Sequence, residues 1–407
     1  MSALTTAIIA SAWPLCEALR QLGAWRVLRA MPRPNAQASG GIAWFADVDV
    51  LQAVRGGDPT LTDTLSWNLR ELGRHGARLH WLLDEDDHIA RDAAETALAA
   101  SPTLRAQVRI AWHPPCPCGM NPKLFKLDRA LSGCPGDIVM VLDDDARLPV
   151  STLEALRHAL RTPTASGAAT SMTDAGNAVS IATALPAYLP AHNLASRWLA
   201  AFVNDNAALT YLPPRRHGSP TINGMAWAMR RDALDAIGGF EPHLRHLTDD
   251  LAMARAVLRV GGHIEQRSEP VWMRTELAGI GAYRRQMHRW MLFAKLLFAT
   301  QPRALRLRIL FGQALPVVLP HVAVAACCIA PDAAAAALAV GALTHLYGRA
   351  ALQRACTATR RPLHPLASFS AAALLPLHLL HAWLAPRIRW REHRYRVYAE
   401  DRYEELP

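Results

Sequence analysis

Charge is scarce in this sequence. Asp, Glu, Lys and Arg make up 19% of 407 residues, against 51% hydrophobic ones, which excludes a disordered chain and leaves enough apolar material for a large core. Cysteine is scarce too. The seven are scattered, which excludes a disulfide framework, and Cys116-Pro117-Cys118 lacks the two-residue spacer and second pair of a zinc site. The thiols are expected to be reduced, in a cytoplasmic environment. There is no G-x-x-x-x-G-K-[ST] and no convincing G-x-G-x-x-G after the first strand, so a P-loop or dinucleotide reading lacks its phosphate cradle. Met1 to Cys16 has no side-chain charge and no basic start of the kind a signal peptide carries; it reads as a surface-lying anchor or a weak span.

What is present is unevenly spread. Mean hydropathy is +0.05, high for a purely soluble protein, and the apolar residues cluster late in the chain. Ile309 to Pro331 and Pro362 to Pro386 contain no Asp, Glu, Lys or Arg, and each is longer than the ~20 residues a membrane helix needs. Ala333 to Gly348 is also uncharged but shorter: a thin membrane helix completing a hairpin, or a packed amphipathic one. Basic clusters surround these runs: Arg303, Arg306 and Arg308; Arg349, Arg354, Arg360 and Arg361; Arg387, Arg389, Arg391, Arg394 and Arg396. Three full spans cannot put all of them on the cytoplasmic side, so one segment is expected to be re-entrant or interfacial, as Pro376 permits. The net charge of +10 suits nucleic acid, anionic lipid or a phosphorylated substrate, but clusters flanking apolar runs disfavour nucleic acid.

Between about residues 40 and 300 short apolar runs alternate with helical stretches. Asp47 to Val54, Ala77 to Leu83, Ala106 to Trp112 and Asp137 to Leu142 read as strands, separated by helical segments such as Leu61 to Leu72 and Ile89 to Ala100. This predicts an α/β domain with a mostly parallel sheet, in which ligands bind beyond the carboxyl ends of the strands. Ile181 to Leu209 reads as an interfacial helix or an ordinary core helix. The predicted division is an amino-terminal membrane-associated segment over 1–40, the α/β domain over 41–300, membrane helices over 301–390 and a basic-to-acidic tail over 391–407.

Two strand ends are crowded with acids: Asp84-Glu85-Asp86-Asp87 and Asp143-Asp144-Asp145. Either run alone is an ordinary solvated loop. Together, at equivalent sheet positions, they concentrate like charge that a cation can offset, and hard oxygen ligands suit Mg²⁺ or Mn²⁺. Asp143 and Asp145 are the candidate metal ligands. Thr248-Asp249-Asp250 opens a helix; capping accounts for such acids, and so does a carboxylate that takes a proton from an acceptor hydroxyl. In Tyr283 to Trp290, helical spacing puts Gln286, Arg289 and Trp290 on one face, either as a binding group or as part of a basic helix resting on a membrane.

In this order the pieces resemble the inverting GT-A glycosyltransferases of the cellulose, chitin and hyaluronan synthase group: an Asp after a strand, D-x-D, a paired acid at a helix start, and Q-x-x-R-W before membrane helices. The closer resemblance is to the ceramide glucosyltransferases, through Val54 to Pro59, Asp84 to Asp87, Gly119 to Lys123, Asn223-Gly224-Met225 and the basic tail from Trp390 to Arg396. The resemblance implies a GT-A domain followed by C-terminal membrane helices, a UDP-sugar donor and a membrane-lipid acceptor. It implies Asp87 toward the uridine, Asp143 and Asp145 on a divalent ion, Asp250 as general base, Gln286, Arg289 and Trp290 at the pyrophosphate and sugar, and Lys123 on donor or phosphate. The expected location is a multi-pass bacterial inner-membrane protein with its catalytic domain facing the cytoplasm. Asp249 and Asp144 depart from the usual pattern. Rival readings are transfer to a hopanoid or polyprenyl lipid, a processive polysaccharide synthase, and a membrane protein whose acids merely bind cations.

Overall fold

The computed structural model describes residues 3–31, 44–161, 179–359, 364–390, 393–399 and 401–406. Arg360, Arg361 and Arg391 of the basic clusters lie outside these. Eight strands form the main sheet: β1 Val48–Ala53, β2 Arg78–Asp84, β3 Val108–His113, β4 Ile138–Leu142, β5 Ala146–Arg147, β6 Val179–Tyr188, β7 Ala226–Arg230 and β8 His263–Met273. Their order is β3-β2-β1-β4-β7-β6-β8-β5. The first four strands run parallel, β7 runs antiparallel between β4 and β6, β6 and β8 are parallel, and β5 pairs antiparallel with β8.

The strands expected from sequence form with ends shifted by at most two residues; β1, β2 and β4 are buried on both faces under helices, while β3 is a partly exposed edge strand. Val50, Leu79, Trp81 and Met140 pack under the helices Leu61–Asn68, His88–Ala99 and Val150–Arg161. On the other face Leu51, Leu82, Val139 and Val141 meet Pro122–Leu131 and Asp249–Arg259. Ile181 to Leu209 is not one helix. It supplies β6, and then, after Asn193 caps it by accepting from the Ser196 N–H at 2.9 Å, the helix Leu194–Tyr211.

The amino-terminal helix Ala3–Ala30 is far longer than the apolar stretch at its start suggested. It packs on Leu315–Ile329 and Pro331–Leu343, and Pro365–Leu384 packs on Ile280–Thr300 and Leu194–Tyr211. Two helical stretches, Arg303–Ile329 and Pro365–Leu384, are long and apolar enough to cross a membrane by length and composition. The chain closes with a small antiparallel sheet of β9 Arg387–Trp390, β10 His393–Val397 and β11 Tyr403–Leu406.

Candidate active site

The acids from the different strand ends are tied to one another beyond the carboxyl edge of the sheet. Asp87 caps its helix through Oδ1, which accepts from the Ala90 N–H at 2.9 Å, while Oδ2 accepts from the Gly56 N–H at 2.8 Å. Gly56 has to be a glycine, since a Cβ there would lie 2.6 Å from Asp87 Oδ1 and from Ile89 Cβ. One residue earlier, the Arg55 N–H donates to Asp144 Oδ2 at 2.9 Å, so the loop after β1 joins the loops after β2 and β4. Lys126, almost fully buried, ties the same edge by donating to Asp84 at 3.0 Å and to the Val54 carbonyl at 3.2 Å.

Lys123 is the central cation. Asn121 caps its helix by accepting from the Lys123 and Leu124 N–H groups. That places the Lys123 ammonium 2.7 Å from Asp143 Oδ1, 2.7 Å from Asp249 Oδ2 and 3.3 Å from the Gly224 carbonyl. Burial alone would depress its pKa, but the two carboxylates outweigh that and raise it. Asp250 follows on the same helix. Burial first, and the neighbouring Asp249 second, push its carboxyl up to about 7. Thr248 stands at the N-cap of this helix, where a threonine hydroxyl commonly caps, but its hydroxyl makes no capping bond and is buried without a partner among the described residues. Its first turn is stabilised instead by the acids themselves, with Asp250 Oδ1 accepting from the Leu251 N–H at 2.8 Å.

Asp145, close enough to Asp143 to feel its charge, has a different partner. Its Oδ2 accepts from the Thr275 hydroxyl at 2.8 Å, and burial, then Asp143 and Asp144, raise its carboxyl to about 8. Tyr188, at the end of β6, bonds to the same threonine, and its phenol is raised by burial and by Asp145, with the charge of Arg289 opposing. Arg289 in turn donates to Gln286 Oε1 at 2.9 Å, so this amide and guanidinium do share a face, while the Trp290 ring packs 6.2 Å from Phe202. The structure therefore brings Asp87, Lys123, Asp143, Asp145, Asp250, Gln286 and Arg289 into one connected region. Sequence reading placed Arg55 in a motif without a role and missed Lys126, Tyr188, Tyr211 and Thr275. Tyr211, whose phenol is raised by burial and by Asp250, and Tyr188 lie at ordinary element ends with no local signal.

Gly224 fixes the position of Asp250. A Cβ at Gly224 would sit 3.2 Å from Asp250 Cβ and 3.3 Å from its Oδ2, so Gly224→Ala must displace that carboxylate by a few tenths of an ångström. The variant is expected to lose about tenfold in kcat, with the unfolding midpoint close to that of the parent; equal turnover would show that the position of Asp250 is unimportant.

The profile of glycosyl transferase family 21 matches residues 6–403, nearly the whole chain. The chain belongs to glycosyl transferase family 21. This family 21 protein is therefore a glycosyltransferase, with an α/β glycosyltransferase fold built on a mostly parallel sheet. Among solved structures, a mannosyltransferase from Pyrobaculum calidifontis in complex with GDP-Man and Mn²⁺ is similar over 93% of this chain and 98% of its own, at 17% identity and a TM-score of 0.48. Glucosyl-3-phosphoglycerate synthase from Mycobacterium tuberculosis, in complex with Mn²⁺, UDP and phosphoglyceric acid, is similar over 64% of this chain and 86% of its own, at 14% identity and a TM-score of 0.34.

In this family 21 glycosyltransferase a second group with metal-ligand chemistry lies at the opposite, amino-terminal edge of the sheet. Ligand atoms of Asp49, His80 and Cys134 fall within 4.8 Å of one another. The Asp49 carboxylate is already saturated, taking hydrogen bonds from Arg78 at 2.7 and 3.1 Å, His80 at 2.8 Å and the Gly136 N–H at 2.6 Å. Burial would raise it, yet those donors hold it at about 2. A metal would have to evict the guanidinium, so this group is a buried ion-pair node that pins the starts of β1, β2 and β4.

Proposed function

We propose that this glycosyltransferase moves a sugar from a UDP-sugar to the hydroxyl of a membrane lipid, ceramide or a similar sphingolipid, with inversion at the anomeric carbon. The observation that carries this reading is the junction of Asp143, Lys123, Asp249 and Asp250, on a domain whose next elements are apolar helices. Asp250 takes the acceptor proton: its carboxyl, lifted to about 7 by burial and Asp249, is a stronger base than an exposed aspartate and still ionises near neutrality. Asp87 serves the uridine end, Lys123, Gln286 and Arg289 bind the diphosphate, and Trp290 borders the sugar and acceptor.

The site fits a divalent ion. The carboxyl of Asp145 is pushed up to about 8 by burial and the charges of Asp143 and Asp144, the mark of a place short of positive charge, and Asp143 and Asp145 offer the hard oxygens Mg²⁺ or Mn²⁺ prefers. When bound, the ion would neutralise charge on the leaving diphosphate. The protein's own part is to hold the diphosphate with Lys123 and Arg289 and to keep Asp250 aimed at the acceptor, its basicity raised by burial and Asp249.

The test is incubation of the purified membrane protein with radiolabelled UDP-glucose, UDP-galactose, UDP-N-acetylglucosamine and a UDP-uronic acid, each with ceramide, a hopanoid or a polyprenyl lipid. Labelled glycosylceramide with the β configuration is the expected product, abolished by EDTA and restored by Mn²⁺ or Mg²⁺. Label in polymer, or only in another lipid, would overturn the acceptor assignment; no transfer from any UDP-sugar would overturn the donor. The pH profile gives an independent check. Because the base works only when ionised, kcat/KM should fall as pH drops below about 7. Asp249→Asn removes the like charge that raises Asp250, so the acid limb should move to lower pH; a limb that stays put would detach Asp249 from the base.

A further inference from the structure

Three helical segments leave the catalytic domain side by side. Ala3–Ala30 runs antiparallel to Leu315–Ile329 and parallel to Pro331–Leu343: Ala10 packs with Ala326 and Ala334, Arg20 donates to Gln313 Oε1 at 3.1 Å, and Gln21 donates to the Thr344 carbonyl at 2.9 Å. Small residues at the contact let the helices approach closely, as in membrane bundles. At the level of Arg20, Gln313 and Arg349 a polar layer joins the bundle to the domain, with Gln313 donating to the Leu209 carbonyl at 3.0 Å and Arg349 to Asn206 at 3.3 Å. Beyond that layer each helix continues for about 25 Å, taking 1.5 Å per residue, close to the ~30 Å of a bilayer core. Between residues 314 and 343 Asp332, exposed at the distal turn, is the only Asp, Glu, Lys or Arg. Leu4, Ile8 and Leu15 on the first helix, and Val318, Val324 and Ile329 on the second, are exposed among the described residues.

Pro365–Leu384 behaves differently, although its composition would also let it span. Near its start the Ser368 hydroxyl donates to Asp205 of Leu194–Tyr211, inside the polar layer. Near its end His381 stacks on His288 at 4.0 Å and the His288 ring bonds the Ala385 carbonyl at 2.9 Å, on the helix that carries Gln286 and Arg289. Its middle touches the bundle, where His321 reaches the Ala373 carbonyl at 3.2 Å. A helix held at both ends by one domain cannot place those ends on opposite sides of a bilayer. Its outer stripe of Leu366, Leu377, Leu380, Trp383 and Leu384 is nonetheless exposed, as an in-plane helix sunk in the near leaflet requires.

We propose that the first helix and the Arg303–Ile329 and Pro331–Leu343 hairpin cross the membrane, placing residue 3 and the Ala330 to Asp332 turn opposite the catalytic domain, while Pro365–Leu384 lies in the plane of the membrane on the catalytic side. The bilayer is the partner of these faces, and charge agrees. Arg26 and Arg29, Arg303, Arg306 and Arg308, Arg354, and Arg387, Arg389 and Arg394 are exposed, and all then fall on one side, as the positive-inside rule asks. A groove of about 430 Å³ lined by Arg387, Arg389, Arg394 and Arg396 follows directly after the in-plane helix, placed for anionic headgroups. The arrangement also removes the conflict that three spans ending with the last apolar run create.

This inference rests on the membrane seating proposed above, and cysteine labelling separates the two. Ala3→Cys, Asp332→Cys, His364→Cys and Arg387→Cys are made singly in the full chain with the native cysteines kept, and an impermeant maleimide is located by peptide mass mapping. Position 3 and position 332 should label in intact spheroplasts, and 364 and 387 only in inside-out vesicles. Positions 364 and 387 labelling from opposite sides, or 3 and 332 labelling only from the inside, would overturn the topology while leaving the protein in the membrane. Release by alkaline carbonate would overturn the membrane seating itself. Sugar transfer by the Ala3→Cys, Asp332→Cys and His364→Cys variants, and a parental unfolding midpoint for Arg387→Cys, show that they are folded.

Discussion

Asp250→Asn is expected to abolish sugar transfer, lowering kcat by about 10³-fold or more, while UDP binding stays within a few-fold of the parent. The reasoning is geometric and electrostatic. Asp250 is half-buried, lies against Gly224, and shares its helix turn with Asp249, whose charge is taken by Lys123 at 2.7 Å. Lys123 also holds Asp143 at 2.7 Å, so the donor-side cation network survives when Asp250 loses its charge. An amide of the same shape keeps its carbonyl as an acceptor for the Leu251 N–H but cannot take a proton, and general-base catalysis contributes about 10² to 10⁴ in rate. Titration with UDP by calorimetry and turnover with labelled donor read the two properties separately. Near-normal turnover would remove Asp250 from the role of base; loss of both turnover and UDP binding would make it a donor ligand instead.

The parts legible in sequence were those whose physics is local. β1, β2 and β4 are buried on both faces and show as apolar runs, so their carboxyl ends, and the acids there, can be found without knowing the fold. β8 was invisible for the opposite reason. His263 to Met273 is rich in charge, and its strand survives burial because Glu265 is met by Arg215 at 2.7 Å and Arg267 by Glu269 at 3.0 Å, the first partner lying fifty residues away. The acids were legible but their clamps were not: Thr275 meets Asp145 across 130 residues, and no spacing announces that. Likewise, absence of charge marks Pro365–Leu384 as apolar, but its Ser368 bond to Asp205 and the His288 bond to Ala385 just after it link positions 163 and 97 residues apart, which no local pattern announces. Glu17 reads as the end of a short apolar stretch, yet it sits mid-helix, because its partner Arg349 is 332 residues further on.

That pair carries the second large effect. Arg349 Nε lies 2.6 Å from Glu17 Oε1 and its terminal nitrogen 2.9 Å from Oε2, with both side chains nearly inaccessible to solvent. Gln21 donates to the same carboxylate at 3.1 Å, and Arg20 stands 3.6 Å away. Replacing Arg349 by Met strips the carboxylate of its bidentate partner and leaves a buried charge with only the Gln21 amide at 3.1 Å and the Arg20 guanidinium at 3.6 Å, which should cost about 3–5 kcal/mol. The first helix should then loosen from Leu194–Tyr211, the element ending at Tyr211 beside Asp250, so activity should fall with stability. Glu17→Leu combined with Arg349→Met removes both charges and should recover most of the loss, since an apolar pair of similar volume needs no compensation. Thermal unfolding of the detergent-purified single and double variants measures the coupling. Additive losses would show that the pair does not hold the amino-terminal helix, whereas a double variant more stable than Arg349→Met alone is the result that the buried geometry demands.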